Sequence, residues 1–321
     1  MLPLILLLLW FLVPAEQEEN AHAANTVTAA QTGQGDDNMI SLSHQGSVVM
    51  LPLEDYVVGV TAAEMPLHFE DEAQKAQSVI ARTYALWKTA SAASTHENGA
   101  DLCSDPGHCQ AYYDEAMLRD LWGDAFETNY KSLRNAVEST RGQVLTYQGE
   151  LAETYYHSTC GGQTASALEV WGEDVPYLQS VACKWDQDAP RFSETVTLSL
   201  SELPWLLGNG TSPCIAVAKG EEVSHVPAAV TKTESGRIQS VSYAGLTFSA
   251  ADVRRALGLN STRFTFRTEG SNLIVTTQGF GHGVGLCQYG ANGMAKEGYD
   301  YKSILLHYYT DAKLKNSQKI H

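Results

Sequence analysis

Phe69, Ala73, Ala76, Ile80, Thr83 and Trp87 recur at steps that alternate between four and three, which predicts a helix burying one face. Upstream, Leu53 to Ala63 reads as a helix with Tyr56, Val57 and Val60 on one side, stopped by Pro66. A third periodic run, Phe126, Tyr130, Leu133 and Val137, ends at Gly142, a residue suited to a helix C-terminus. Val48 to Leu51 predicts a short strand, and Val144 to Tyr147, the turn Gln148-Gly149 and Leu151 to Ser158 predict a β-hairpin. Farther on, Ile238 to Tyr243 pairs with Leu246 to Phe248, and Ser249 caps a helix running to Leu257 with Asp252 in the capping-box position. Arg263 to Arg267 and Leu273 to Thr277 form another hairpin around Glu269-Gly270. Gln288 to Lys296 is helical, and Asp300 opens a last helix carrying Ile304, Leu305 and Tyr308. Helices and hairpins alternate without a βαβ rhythm and without internal repeats, so the fold class is α+β, with helices packed on antiparallel, hairpin-built sheets.

The ends of the chain change this picture. Leu2 to Val13 is almost wholly apolar, yet shorter than the roughly 18 residues of a bilayer-spanning helix, and Pro14, Ala15 and acidic residues follow. Residues 1–15 therefore read as a signal or membrane-anchor segment, although basic residues are missing before the apolar run. Residues 16–40, rich in Ala, Gln, Asn, Gly and acid, read as a flexible tether. One domain is expected over 41–313, with a polar tail at 314–321. A formal charge of −16, with 21 Lys and Arg against 37 Asp and Glu, excludes electrostatic binding to nucleic acid. Six cysteines suit an exported protein. Cys160, Cys183, Cys214 and Cys287 are widely spaced and allow three disulfide pairings, among which sequence does not choose.

Four segments carry candidate chemistry. Glu64 falls at the C-terminus of the first helix, where unpaired carbonyls disfavour a carboxylate and raise its pKa. Such a protonated acid is what glycosidic bond cleavage requires. His96, Cys103, His108 and Cys109 lie within fourteen residues around the turn Asp105-Pro106-Gly107 and can converge on one zinc ion; the competing reading is a Cys103 to Cys109 disulfide. The zinc-deaminase signature is absent from this segment. Tyr155-Tyr156-His157-Ser158 runs into Gly161-Gly162, exposing side chains beside a backbone that a ligand can approach. Strand alternation sets His157 opposite to Ser158, which argues against a nucleophile and base pair there. The glycine-rich stretch Gly279 to Gly285 lacks a P-loop lysine and instead presents His282, Gln288 and Tyr289 to a ligand or to the core.

Taken in order, these segments resemble the stage II sporulation protein D family. The likeness rests on Leu53-Glu54-Asp55-Tyr56-Val57-Val58-Gly59-Val60, Ala63-Glu64-Met65-Pro66, Glu72-Ala73-Gln74-Lys75-Ala76-Gln77, Ala81-Arg82-Thr83-Tyr84-Ala85, His157-Ser158 with Gly161-Gly162, Pro176-Tyr177-Leu178 and Gly281-His282-Gly283-Val284-Gly285. It implies a peptidoglycan lytic transglycosylase, a lyase that degrades cell wall during engulfment in sporulation, acting on peptide-stripped glycan and leaving 1,6-anhydro-muramic acid. Glu64 is then the catalytic acid and base, and Lys75, Arg82, Tyr155, His157 and Ser158 hold the glycan. On the helix, Lys75 and Arg82 are two turns apart, on a face off the apolar stripe. The resemblance selects His96, Cys103 and Cys109 as zinc ligands, with His108 in reserve. At Cys160 and Cys287 related sequences more often carry a small residue such as Ser, and one reading of this departure is a disulfide particular to a subgroup. The implied partners are a sporulation amidase and endopeptidase and a membrane protein that localises it. The implied location is the mother-cell membrane, facing the space toward the forespore.

Two other functions compete. The same domain resembles amidase enhancers, which makes a non-catalytic wall-binding enhancer of an N-acetylmuramoyl-L-alanine amidase the main alternative. The third is a zinc hydrolase of peptide or amide bonds, which needs a water in the fourth metal position.

Overall fold

The computed structural model describes residues 38–90, 96, 98–208 and 226–319. The expected export segment, nearly all of the tether, and Cys214 lie outside the described residues.

Helix α2 (Asp71–Ala90) is the axis of the fold. Its alanines at 73, 76, 81 and 85 are all buried, and their small side chains let neighbours approach from two sides. Ala73, Ala76, Val79 and Ile80 face one apolar core, while Ala81, Tyr84 and Ala85 face a second. The expectation of a single buried face is thus corrected: counting apolar positions missed a second face carried by Ala81, Arg82, Tyr84 and Ala85. Arg82 belongs to that hidden face and is fully buried, not on the open side expected for it.

The second core joins α1 (Leu53–Glu64), α2 and α4 (Phe126–Ser139) to a small sheet of β1 (Met39–His44), β2 (Ser47–Pro52) and β3 (Leu102–Cys103). Its order is β2-β1-β3, with β1 antiparallel to β2 and parallel to β3. Between β3 and α4 stands α3 (Glu115–Trp122), capped by the Asp114 side chain. The first core gathers α2, β4 (Gln143–Tyr147), α8 (Gln288–Lys296) and α9 (Tyr301–Tyr308).

The hairpin expected from Val144 to Ser158 closes only in part. β5 (Glu150–Leu151) pairs with β4, but β6 (Tyr156–His157) leaves it and pairs in parallel with β13 (Leu286–Cys287). The glycine-rich stretch makes this possible: a Cβ on Gly285 would lie 2.1 Å from the Tyr155 carbonyl oxygen. The other edge of β4 is taken by β14 (Lys313–Asn316), so residues assigned to the polar tail contribute a strand.

A third core lies under two antiparallel sheets, β8 (Ala228–Lys232), β9 (Ile238–Tyr243) and β10 (Leu246–Ser249) in order β10-β9-β8, and β7 (Ser193–Ser199), β11 (Phe264–Glu269) and β12 (Asn272–Gln278) in order β11-β12-β7. Short helices α6 (Leu203–Leu207) and α7 (Ala250–Ala256) pack there, the latter capped by Ser249 as expected. Helix α5 (Ala167–Trp171) starts in a full Ser166/Glu169 capping box. The architecture is α+β with sheets built mainly from hairpins. Among the described residues no helix is long and apolar enough to cross a membrane.

Candidate functional site

Glu64 is the last residue of α1, and Met65 turns the chain into extended backbone ahead of Pro66. Its carboxylate Oε1 accepts the backbone N–H of Ala111 at 2.8 Å, and its carbonyl accepts Gln288 Nε2 at 2.9 Å. The Tyr156 hydroxyl also donates to the carboxylate. Burial lifts the Glu64 pKa above the ordinary carboxylate range, and the Ala111 and Tyr156 donors draw it back only in part. The sequence reading of a raised pKa agrees in direction, but its first cause is lost hydration. Glu64 is also among the residues that line a pocket of about 280 Å³, with Ala62, Pro66, Leu67, Leu121 and Trp122, and it is the one ionisable residue among them.

The segment that contacts Glu64 is laid across α1 for a local reason. Gly59 has no side chain, and a Cβ there would lie 2.3 Å from the Tyr112 ring, so only glycine admits this approach. Tyr112 stacks on Tyr56 at 5.7 Å, and the Tyr113 N–H donates to the Gly59 carbonyl at 3.2 Å. Gln110 completes the link: it accepts from the Tyr56 hydroxyl at 3.2 Å and donates from Nε2 to the Tyr156 hydroxyl at 3.2 Å. Tyr56, Gln110, Tyr156 and Glu64 therefore form one chain of hydrogen bonds.

Immediately before Gln110 comes the metal-type cluster. One ligand atom from each of His96, Cys103, His108 and Cys109 lies within 4.8 Å of all the others. Cys109 Sγ is 3.6 Å from His96 Nε2 and 3.4 Å from His108 Nδ1, and Cys103 Sγ is 3.5 Å from His108 Nδ1. Cys103 and Cys109 are not bonded to each other. Two thiols and two imidazoles at this spacing fit the donor set of tetrahedral zinc, and His108, the reserve donor in the sequence, lies within the same cluster. Burial pushes the Cys109 thiol up to about 11.

The remaining candidates separate into groups. Gln288 joins Glu64 directly, and beside it Tyr289 packs its ring on Phe69 at 4.9 Å and donates its N–H to the Ser158 carbonyl at 3.1 Å. Tyr155, His157 and His282 gather elsewhere, around Trp171, which sequence reading missed; its ring is 4.5 Å from Tyr155 and 5.4 Å from His282. His157 and His282 have ring centroids 5.6 Å apart, and burial depresses both, His282 to about 4. His157 Nδ1 is 3.2 Å from the Val284 carbonyl and Ser158 Oγ is 3.3 Å from Thr159 Oγ1, so neither serves the other as base. Among the described residues no hydrogen bond ties Tyr155, His157 or His282 to Glu64.

Lys75 is part-exposed and pairs with Glu72 at 2.6 Å. Arg82 is different: it has no exposed surface and forms a two-pronged ion pair with Glu54, at 2.8 and 2.6 Å, while bonding the Val137 and Gln143 carbonyls. Direct contact with a glycan is excluded by that burial. Arg82 instead fixes α1 against α2 and α4. Tyr156, Gln110 and Glu54 were the functional neighbours missed, and the signal for Tyr156 was the doublet Tyr155-Tyr156, since strand alternation sends one tyrosine to each face.

Comparison with known proteins matches the same stretch of sequence. The family model described as "Stage II sporulation protein" matches residues 42–147, the stretch from β1 through β4 that holds Glu64, the metal-type cluster and Gln110. Stage II sporulation protein D of Bacillus subtilis (strain 168) is 38% identical over 270 residues, 84% of this chain and 76% of the relative. Its counterpart from Bacillus amyloliquefaciens is 36% identical over 82% of this chain and 74% of the relative. The amidase enhancer of Bacillus subtilis (strain 168) is 28% identical over 80% of this chain, but over only 40% of its own length. With the likeness running well past the residues around Glu64, the chain belongs to the stage II sporulation protein D family.

Proposed function

We propose that the chain is a sporulation cell-wall enzyme, a peptidoglycan lytic transglycosylase with Glu64 as its single acid and base. One observation carries this reading: Glu64, protonated more readily than usual, is the one ionisable residue that lines the pocket at the end of α1. Hydrolytic glycosidases pair two carboxyl groups across the bond, so a lone acid favours a reaction in which the sugar supplies its own nucleophile.

Protonated Glu64 gives its proton to the oxygen linking N-acetylmuramic acid C1 to N-acetylglucosamine, and that C1–O bond breaks. The Glu64 carboxylate then takes the proton of the muramic acid 6-hydroxyl while its oxygen bonds to C1. The products are a free N-acetylglucosamine 4-hydroxyl and a 1,6-anhydro-muramic acid end, and Glu64 is protonated again. Tyr156 and the Ala111 N–H steady the carboxylate stage, and Gln288 fixes the helix end through the Glu64 carbonyl.

Zinc, held by His96, Cys103, Cys109 and His108, supplies structural rigidity when bound, two residues from the Ala111 N–H that grips Glu64. With four protein donors that site keeps no position for a catalytic water, which disfavours the zinc-hydrolase reading. Lys75, Ser158 and Tyr289 are proposed glycan contacts. Tyr155, His157 and His282 are proposed to shape the β6 side of the groove. The resemblance supports an exported protein at the mother-cell membrane, working after an amidase and endopeptidase have stripped the stem peptides and held in place by a membrane protein.

The likeness to an amidase enhancer favours a second reading, a non-catalytic wall-binding partner of an amidase. Incubation of the purified chain with peptide-stripped glycan strands separates the two. New 1,6-anhydro-muramic acid ends in the mass spectrum support the enzyme; binding without cleavage, together with faster stem-peptide release by an added amidase, supports the enhancer.

A further inference from the structure

A second cluster of soft ligands lies in the first core, away from any step assigned to Glu64. Cys160 follows β6, Cys183 precedes the short 3-10 turn Lys184–Asp186, and Cys287 ends β13 and caps α8. The three sulfurs and a carboxylate oxygen of Asp186 all lie within 4.8 Å of one another. Each of the four residues is at most 1% exposed. None of the three thiols is in a disulfide. Cys160 Sγ is 3.0 Å and Cys287 Sγ 3.7 Å from Asp186 Oδ2, and Cys183 Sγ is 3.2 Å from the Tyr308 hydroxyl.

Three further features fit a cation held by these four residues. Asp186 Oδ2 accepts the Gly161 N–H at 2.7 Å, whereas Oδ1 is buried with no hydrogen-bond partner, and no Lys or Arg forms a salt bridge with this carboxylate among the described residues. An anionic oxygen stranded in a core loses its hydration without return unless something positive meets it. Cys287 Sγ accepts backbone N–H bonds from Cys160 and Gly290, both at 3.3 Å, the donors that a thiolate attracts. Gly290 also keeps the space open, since a Cβ there would lie 2.4 Å from Cys183 Sγ.

We propose that Cys160, Cys183, Cys287 and Asp186 form a closed, structural zinc site, separate from the cluster at His96. Sulfurs on tetrahedral zinc at about 2.3 Å stand roughly 3.8 Å apart, a span this cluster accommodates. Binding transfers the thiol protons to solvent and joins all four anionic ligands to one cation. The competing disulfide would use two sulfurs, leave the third thiol over, and leave Asp186 Oδ1 unmet. The ion would tie together three segments distant in sequence, those following β6, preceding Lys184 and opening α8, which flank Tyr156, His157 and Gln288.

Zinc per chain, measured by plasma mass spectrometry on protein purified in zinc-containing buffer, tests this. Two equivalents are expected in the wild type, one in Cys103→Ser/Cys109→Ser, and one in Cys160→Ser/Cys287→Ser. In the first variant, cobalt should give a sulfur-to-cobalt charge-transfer band, and non-reducing peptide mapping should recover Cys160, Cys183 and Cys287 as thiols. If a variant does not fold, the wild type decides the matter: two equivalents, with all three thiols shielded from alkylation until a chelator is added, support the site. One equivalent in the wild type with Cys160, Cys183 and Cys287 open to alkylation before chelation, or a disulfide joining any two of the three cysteines, overturns it.

Discussion

The Ala111 N–H donates to Glu64 Oε1 at 2.8 Å, and Ala111 stands two residues after Cys109. The acid at the end of α1 and the metal-type cluster are thus mechanically joined through Cys109-Gln110-Ala111. Chelation should then act on Glu64 through geometry. Stripping zinc is expected to lower the melting temperature and to cut glycan cleavage at least tenfold, with both restored by zinc. Calorimetry paired with a product assay checks this, and loss of cleavage at unchanged melting temperature would point to a catalytic ion instead.

Tyr156 donates to the Glu64 carboxylate and favours its charged form. Removing that donor in Tyr156→Phe should raise the Glu64 pKa further. Because the first step needs the protonated acid, the alkaline limb of the kcat/KM profile should move to higher pH, with kcat falling about 10-fold. An unmoved limb would show that Tyr156 acts through packing alone.

Burial raises the Glu64 pKa above its unfolded value, so the folded chain holds this proton more tightly than the unfolded one. Stability contributed by the neutral acid is complete below the unfolded carboxylate range and is lost as pH rises through the folded pKa. Glu64→Gln cannot ionise. It should therefore melt roughly 1–3 °C higher than wild type at pH 7, with the difference shrinking toward pH 4.

The fold was legible where burial follows local period. The helix ending at Glu64, the hairpins Ile238–Tyr243 with Leu246–Ser249 and Phe264–Glu269 with Asn272–Gln278, and the Ser249 cap all agree with the apolar pattern. What the pattern missed depends on distant partners. Tyr156 and His157 leave their expected hairpin because Leu286 and Cys287 offer an edge about 130 residues later. Arg82 resembled a surface residue because its partner Glu54 is 28 positions away on another helix. Within the site, the His96 to Cys109 spacing marked the metal-type cluster, whereas Gln110 gave no signal beyond standing next to Cys109.

The Glu54 and Arg82 pair is closed from water, so removing one partner strands a buried charge. Glu54→Ala should cost about 3–5 kcal/mol in stability. Arg82→Lys loses the two-pronged geometry and should be destabilised by less, with KM for glycan unchanged once the protein is folded. Denaturant titration and steady-state kinetics on both variants check this, and a KM effect at full stability would restore Arg82 to the groove.

The proposed reaction requires Glu64 alone to serve as acid and base at the glycosidic bond. The most direct measurement counts 1,6-anhydro-muramic acid ends by mass spectrometry after peptide-stripped glycan strands meet wild-type protein or Glu64→Gln at equal concentration and verified folding. Anhydro ends should accumulate with wild type and fall at least 10³-fold with Glu64→Gln, whose fold and zinc content should stay intact. Equal numbers of anhydro ends from both proteins, or reducing ends in place of anhydro ends, would contradict the proposed reaction.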